Sequence, residues 1–328
     1  MKTLVTGGLG FIGSHLVELL MKEGHSVIVI DNFSTGRLQN VASCIKNKRL
    51  KIVNADITHL EDIDKHFSKV DWVFHLAGIA DIVPSIENPL KYHNVNVNGT
   101  VNVLLSSIYH KVKKFVYAAS SSCYGIAKHV PTSEEDKIQL CHPYALTKYI
   151  GERYVIGLGQ IYKLPVISLR LFNVYGLRSR TSGAYGAVMG VFLKQKLENK
   201  PFTIVGDGTQ TRDFIYVTDV ARAFYEAAKS NLSSHIINVG SGKTYSINAL
   251  TQLIRGKKIY IPNRLGEPEC TLADISKIKR LLNWEPKISF EDGMKKVLEN
   301  IEYWRNAPLW DEKSIKKATK YWFKYFKK

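Results

Sequence analysis

The chain has 328 residues, 45% of them hydrophobic and 23% charged, with 23 glycines and 10 prolines. That length can bury a deep core in one large domain or a two-lobed molecule, and the composition excludes fibrous and disordered classes. With 46 basic and 29 acidic residues the formal charge is +17, which attracts anions in general but does not by itself specify nucleic acid.

In chain order, residues 4–5 begin a short buried strand and 15–20 continue as a helix. Strands follow at 27–30, 50–55 and 70–76, with a helix at 60–67 between the last two. A helix near 95–110, a strand at 114–119, a helix over 144–162 and a strand at 166–171 continue the rhythm. Apolar strands alternating with helices predict an α/β fold, a Rossmann-type doubly wound parallel sheet. After Gly176 the regularity breaks. Residues 201–205 and 212–217 read as strands of a smaller mixed α/β lobe, whereas 220–228 and 235–239 read as a helix and strand of the main domain. The expected division is 1–175, also receiving about 214–240, for the first domain, and mainly 176–328 for a substrate-binding lobe. The tail carries Lys313, Lys316, Lys317, Lys320, Lys324, Lys327 and Lys328 among aromatics. A docked helix with a solvated lysine face explains those letters, and contact with a membrane or RNA remains the alternative.

Cys44, Cys123, Cys141 and Cys270 lie far apart with no CxxC pair, which fits a reducing compartment and neither a disulfide framework nor a metal site. No signal-like segment opens the chain, and no run approaches the roughly 20 apolar residues of a membrane span. The expectation is a soluble, cytoplasmic protein with no nucleic-acid partner.

Gly7, Gly10 and Gly13 fall between the first strand and the first helix. They allow a tight turn and close approach to a pyrophosphate, with helix N–H groups facing its charge. Phe11 and Ile12 belong to the same loop. Asp31 ends the second strand, where a carboxylate can bond both ribose hydroxyls and repel the extra phosphate of NADP, favouring NAD. Asp56 follows the third strand and is placed for the adenine amino group or as a loop cap. Leu76, Ala77 and Gly78 follow the fourth and leave room for a cofactor across the sheet edge.

Tyr144 and Lys148 sit at i and i+4 on one helical face. A lysine cation there is expected to lower the phenol's pKa from its ordinary value near 10, making Tyr144 a proton acceptor.

With TGGLGFIG at 6–13, DNFSTG at 31–36, SSSCYG at 120–125, YALTK at 144–148, LFNVYG at 171–176 and GDGTQTRDFIYVTD at 206–219, the chain resembles the extended short-chain dehydrogenase/reductase family, particularly its nucleotide-sugar 4-epimerases. The resemblance runs over almost the whole length. It implies tightly bound NAD, held also by Asn32, Ser34, Thr35, Gly36 and Ile57, with Lys148 on the nicotinamide ribose. It implies a catalytic trio of Ser120, Tyr144 and Lys148, in which Ser120 relays or orients the proton that Tyr144 removes from a sugar 4-hydroxyl. Ser121 and Ser122 would line the sugar pocket. The dehydratases and decarboxylases of the family carry a carboxylate just after the position of Ser120; Ser121, Ser122 and Cys123 supply none, which favours oxidation and re-reduction at C4 alone.

The same resemblance places a UDP-linked substrate against Asn173, Val188, Phe202, Thr203 and Ile204, with Arg212 and Arg264 pairing its phosphates. Thr271 matches a position that gates the sugar 2-substituent, and its small size suits N-acetylhexosamines as well as hexoses. Asp81 stands where many relatives carry a basic residue nearby; sugar recognition and helix capping are both open to it. A homodimer is implied, with Val101, Leu104, Leu105, Ile108, Val155 and Leu158 available to a twin or to the parent sheet. A 4-ketoreductase, a UDP-glucuronate 4-epimerase and a non-catalytic NAD-binding regulator remain the competing readings.

Overall fold

A computed structural model describes residues 1–179, 188–263, 266–318 and 320–325. The first six strands are β1 (Lys2–Thr6), β2 (Ser26–Asp31), β3 (Leu50–Asn54), β4 (Trp72–His75), β5 (Lys114–Ser120) and β6 (Val166–Leu171). Together with His235–Val239 they make a seven-stranded parallel sheet in the order His235–Val239, β6, β5, β4, β1, β2, β3. The doubly wound sheet predicted from the strand–helix rhythm is therefore present.

Side chains alternate across the sheet because the strand period is two. Leu4 and Val73 pack with Val103, Leu104, Val155 and Ile156 from the helices Gly99–Tyr109 and Pro143–Ile161. On the opposite face Val5 and Phe74 meet Leu16 and Leu20 of Phe11–Lys22, and Val220 and Phe224 of Val217–Lys229. Covering both faces removes the sheet from water, which is why the strands read as nearly continuous apolar runs. A third core gathers Phe192, Phe202, Phe214, Leu250, Phe290 and Trp304. Around it Asn173–Tyr175 pairs in parallel with Phe214–Tyr216, and Phe202–Val205 with Lys258–Ile261.

Three local expectations need correction. The helix read at 95–110 begins as a π turn, Asn94–Asn98, and becomes α-helical only from Gly99. The one at 60–67 is a single α turn, Leu60–Ile63, followed by a 3-10 turn. The strand read at 212–217 is broken at Asp213, with Val217 already starting the next helix. Asp213 breaks it because its buried carboxylate accepts Ser241 N–H (2.6 Å), Ser241 Oγ–H (2.7 Å), Gly242 N–H (3.2 Å) and Ala273 N–H (3.0 Å).

Of the apolar residues offered to a twin subunit, Leu104 and Val155 are fully buried against their own sheet, and Ile108 and Leu158 pack toward it. The large apolar side chains left outside on these two helices are Leu105, Tyr109, Leu146, Tyr154 and Ile161. The terminal helix Lys320–Tyr325 packs against Ile82–Glu87. Among the described residues no helix is long and apolar enough to cross a membrane.

Candidate active site

The strand order reverses between β1 and β4, so the loops leaving their C-terminal ends part and open a crevice, the place where such sheets bind ligands. The glycine loop leaves β1 into this crevice, and Leu76–Gly78 leaves β4 beside it. Gly7 has φ +67°, and a Cβ there would lie 2.8 Å from the Ala77 backbone nitrogen. A Cβ at Gly13 would fall 2.2 Å from the Gly7 carbonyl oxygen. Only glycine lets the two loops and the helix start approach this closely, which leaves a cradle of backbone N–H groups for a pyrophosphate. Gly10 caps the helix, and Phe11 and Ile12 begin it half-buried.

Asp31 is 7% exposed, with one carboxylate oxygen accepting Leu9 N–H at 3.0 Å and the other Phe33 N–H at 2.9 Å. Burial pushes its carboxyl above the usual range, and these N–H groups offset that only in part. Hydroxyl donors such as those of a ribose would relieve the remaining cost. Asn32 donates to Asp56 at 2.8 Å and accepts Ser34 N–H at 3.1 Å, while Thr35 lies exposed and Gly36 is buried beside Asp31. Burial opposes ionisation of Asp56, but hydrogen bonds from Thr58 and Asn32 outweigh it and keep the carboxyl low. Ile57 is buried under Gly99.

The reacting side converges from three elements. Ser120 ends β5 and caps the 3-10 turn Ser121–Tyr124; its Oγ accepts Ser122 N–H at 3.2 Å and contacts Ser122 Oγ at 3.1 Å. The helix Pro143–Ile161 starts where Pro143 follows a His142 ring that accepts Ala145 N–H at 3.1 Å. Tyr144 thus sits in the first turn, and its otherwise orphaned N–H donates to Ser85 Oγ at 3.1 Å. Stacked on His142 and edge-on to Tyr92, its ring brings the phenol within hydrogen-bonding reach of the Ser120 hydroxyl. Lys148 follows one turn later, 8% exposed, with its Nζ 4.3 Å from the centroid of the Tyr117 ring.

The electrostatics correct one expectation. Burial pushes Lys148 down to about 7, against an upward pull from Glu152. Burial pushes the Tyr144 phenol up instead of letting it fall; the Ser120 hydrogen bond opposes that rise, and the charge of Asp81 adds to it. A lysine that is itself desolvated and directed over Tyr117 is a weak source of charge for the phenol. Asp81 is half-buried at the start of Ile82–Glu87 with φ +85°, and its side chain makes no capping hydrogen bond to that helix.

The expected substrate residues divide. Thr271 Oγ donates to Asn173 Oδ1 at 2.9 Å and accepts Asp213 N–H at 3.3 Å, so Thr271, Asn173 and the Arg212 strand come together. Arg212 bonds the Thr211 and Glu269 carbonyls and lies 3.8 Å from Glu267. The Phe202 and Ile204 side chains are fully buried and Thr203 is tied to Gln195, because their strand lies beneath the helix Val188–Leu197. Val188 opens that helix against the third core. Arg264 lies outside the described residues.

Sequence reasoning missed a buried relay. Ala77 N–H donates to Thr6 Oγ1 (3.2 Å), which contacts His75 Nδ1 (2.7 Å); His75 Nε2 contacts Thr100 Oγ1 (2.9 Å), which donates to the Asn96 carbonyl (2.8 Å). Because Thr100 gives its proton to the Asn96 carbonyl, its oxygen accepts from His75, which puts a hydrogen on Nε2 and leaves Nδ1 free to accept from Thr6. Burial pushes His75 down to about 3, which keeps the ring neutral. The signal was a histidine closing an otherwise apolar central strand.

The model of the NAD dependent epimerase/dehydratase family matches residues 3–240. The chain belongs to that family. A putative UDP-glucose 4-epimerase of Methanocaldococcus jannaschii is 38% identical over 304 residues, 90% of this chain and 96% of the relative. The structure of a UDP-N-acetylglucosamine 4-epimerase from Methanobrevibacter ruminantium is 32% identical, with TM-score 0.85 over 91% of this chain and 98% of that one. A UDP-glucuronic acid 4-epimerase from Bacillus cereus, solved with UDP-glucuronic acid and NAD, is 35% identical, with TM-score 0.85 over 92% and 99%. These similarities put the chain in the nucleotide-sugar 4-epimerase branch of the epimerase/dehydratase family. NAD is the cofactor that the glycine cradle and Asp31 fit. The three relatives differ in their sugars, and the branch leaves the substrate to be argued from this chain's own residues.

Proposed function

We propose that this protein interconverts UDP-glucose and UDP-galactose by epimerisation at C4, that it also accepts the N-acetylhexosamine pair, and that it keeps NAD tightly bound throughout. One observation carries the reading: the Tyr144 phenol stands within reach of the Ser120 hydroxyl, with Lys148 one turn beyond, and the turn after Ser120 holds Ser121, Ser122 and Cys123 and no carboxylate. Such a set can remove and return one proton at one sugar carbon, and it lacks the extra acid and base an elimination needs. When bound, NAD supplies the oxidation and re-reduction at C4 and a positive charge beside the phenol. Tyr144 takes the 4-hydroxyl proton with Ser120 orienting it, and returns the proton after the sugar has turned over. Lys148 holds the nicotinamide ribose. Asn173, Arg212, Arg264 and Thr271 anchor the nucleotide diphosphate and the sugar, and the small Thr271 leaves room for an N-acetyl group. The negative charge of Asp81, which is felt by the Tyr144 phenol, would disfavour a sugar carboxylate in the same site, and that weighs against the glucuronate reading.

Residues 1–175 with about 214–240 serve the cofactor and the remainder of the chain the substrate, in a cytoplasmic homodimer. The pairing surface is the outer side of the helices Gly99–Tyr109 and Pro143–Ile161, where Val101, Asn102, Ile150 and Tyr154 line a cavity.

The test is incubation of the purified protein, with no added cofactor, with UDP-glucose, UDP-N-acetylglucosamine, UDP-glucuronate and their CDP, dTDP and GDP counterparts. Products are separated by C4 configuration. Turnover of the two neutral UDP-sugars, abolished in Tyr144→Phe, is expected. Reduction of a keto sugar alone, with release of the cofactor, would make it a ketoreductase instead.

A further inference from the structure

Arg170 is a charged residue inside β6, a central and otherwise largely apolar strand, and it is 3% exposed. Its Nε and Nη2 donate to the two carboxylate oxygens of Glu152 at 3.0 and 2.6 Å. Its Nη1 donates to the Tyr124 hydroxyl at 2.9 Å and reaches the Glu134 carbonyl at 3.4 Å. The guanidinium also lies 5.0 Å from the centroid of the Tyr124 ring. A planar fork of donors can hold two partners at one fixed angle.

Those two partners belong to the two halves of the site. Glu152 stands one helical turn beyond Lys148 and two beyond Tyr144, on the same face of the same helix. Tyr124 closes the 3-10 turn that Ser120 caps. The remaining groups are satisfied as well: Ser168 Oγ donates to Glu152 at 3.0 Å, the Tyr124 hydroxyl donates to Asn238 Oδ1 at 2.7 Å, and Asn238 Nδ2 donates to the Thr132 carbonyl at 3.0 Å. A buried ion pair adds little net stability over well-packed apolar side chains. What it adds here is direction, since each partner has one allowed position around the guanidinium.

We propose that Arg170 is the positioning residue of this site: by holding Tyr124 on one side and Glu152 on the other, it sets the distance between the Ser120 hydroxyl and the Tyr144–Lys148 helix. This rests on Ser120 and Tyr144 working on a sugar hydroxyl as proposed above. Glu152 has a second effect through its charge, which supports the ammonium form of Lys148. From the neighbouring strands Lys148 meets neutral groups, His75 on β4 and Tyr117 on β5. Tyr144 precedes it on its own helix, with Asp81 beyond that phenol.

The experiment compares Tyr124→Phe and Glu152→Gln with wild type, using the NAD-loaded protein and UDP-glucose. Tyr124→Phe keeps the ring and removes the hydroxyl that Arg170 holds and that Asn238 accepts from. Misplacement by about 1 Å can cost up to about a hundredfold in rate, so kcat is expected to fall about tenfold or more. KM should stay within about twofold and NAD content near wild type, with a fall in kcat that persists well below the melting temperature, itself somewhat lowered by the partners left unpaired. Glu152→Gln should also lower kcat and move the alkaline limb of its pH profile to lower pH, because Lys148 then gives up its proton sooner. Wild-type kcat and pH profile in both variants overturn the proposal, as does a fall in kcat that only tracks a fall in melting temperature. If Glu152→Gln does not fold, Tyr124→Phe decides alone by the same kcat criterion. Tyr144→Phe runs in parallel: if it stays active, the sugar chemistry itself fails and takes the positioning role with it.

Discussion

Lys148 and Tyr117 form a closed pair: the lysine ammonium lies 4.3 Å from the centre of the tyrosine ring, and the Tyr117 hydroxyl donates to the Lys148 backbone carbonyl at 3.3 Å. The ring favours the cation, but burial on all sides costs more, and Lys148 falls from 10.5 to about 7. Between those two values the unfolded chain holds a proton that the folded chain has given up, so this group's penalty on folding shrinks as pH rises from about 7 toward 10.5 and is full below about 7. In NAD-free protein, Lys148→Met should therefore raise the melting temperature most below about pH 7, with the advantage narrowing above it. Melting curves of both proteins across that range check the sign; a constant gap would contradict it.

In the proposed reaction the proton is moved by Tyr144. Tyr144→Phe should lower kcat by about a hundredfold to ten-thousandfold, the span of general acid–base catalysis. Because the phenol's burial is offset partly by Ser120, Ser120→Ala should also lower kcat and should move the pH at which activity rises upward. Initial-rate profiles against pH for the three proteins measure both effects.

Gly7 is the point where two loops touch. Gly7→Ala places a Cβ 2.8 Å from the Ala77 nitrogen while φ stays at +67°, so strain of about 1 kcal/mol or more adds to the clash. The expected result is protein purified with little NAD and a lowered melting temperature. Absorbance and denatured-extract assay of the cofactor decide it.

Thr271 is held between Asn173 and Asp213 by its hydroxyl, so its small side chain is also a fixed one. Thr271→Tyr should fill the space beside the sugar 2-position and reduce kcat/KM for UDP-N-acetylglucosamine by about tenfold or more relative to UDP-glucose. Equal losses on both substrates would show that local volume is not what selects.

Much of this molecule was readable in one dimension because its signals are local. The glycine loop, the apolar strands and the Tyr144–Lys148 spacing each fall within a few neighbouring residues, and periods of two and 3.6 carry them into strands and helices. The errors arose where distant residues intervene. Residues 212–217 looked like one strand until Asp213 gathered donors from 241, 242 and 273.

The order of letters alone determined the parallel sheet and the glycine loop at the end of its first strand, since those depend on spacing and side-chain type, while the resemblance to the family pointed to Ser120, Tyr144 and Lys148. Only tertiary structure decided that Arg170 joins Glu152 to Tyr124, that His75 is neutral, and that Lys148 loses most of its basicity while Tyr144 gains resistance to ionisation. Charge state and direction depend on what surrounds a group in space, and those surroundings come from residues tens of positions away in the chain.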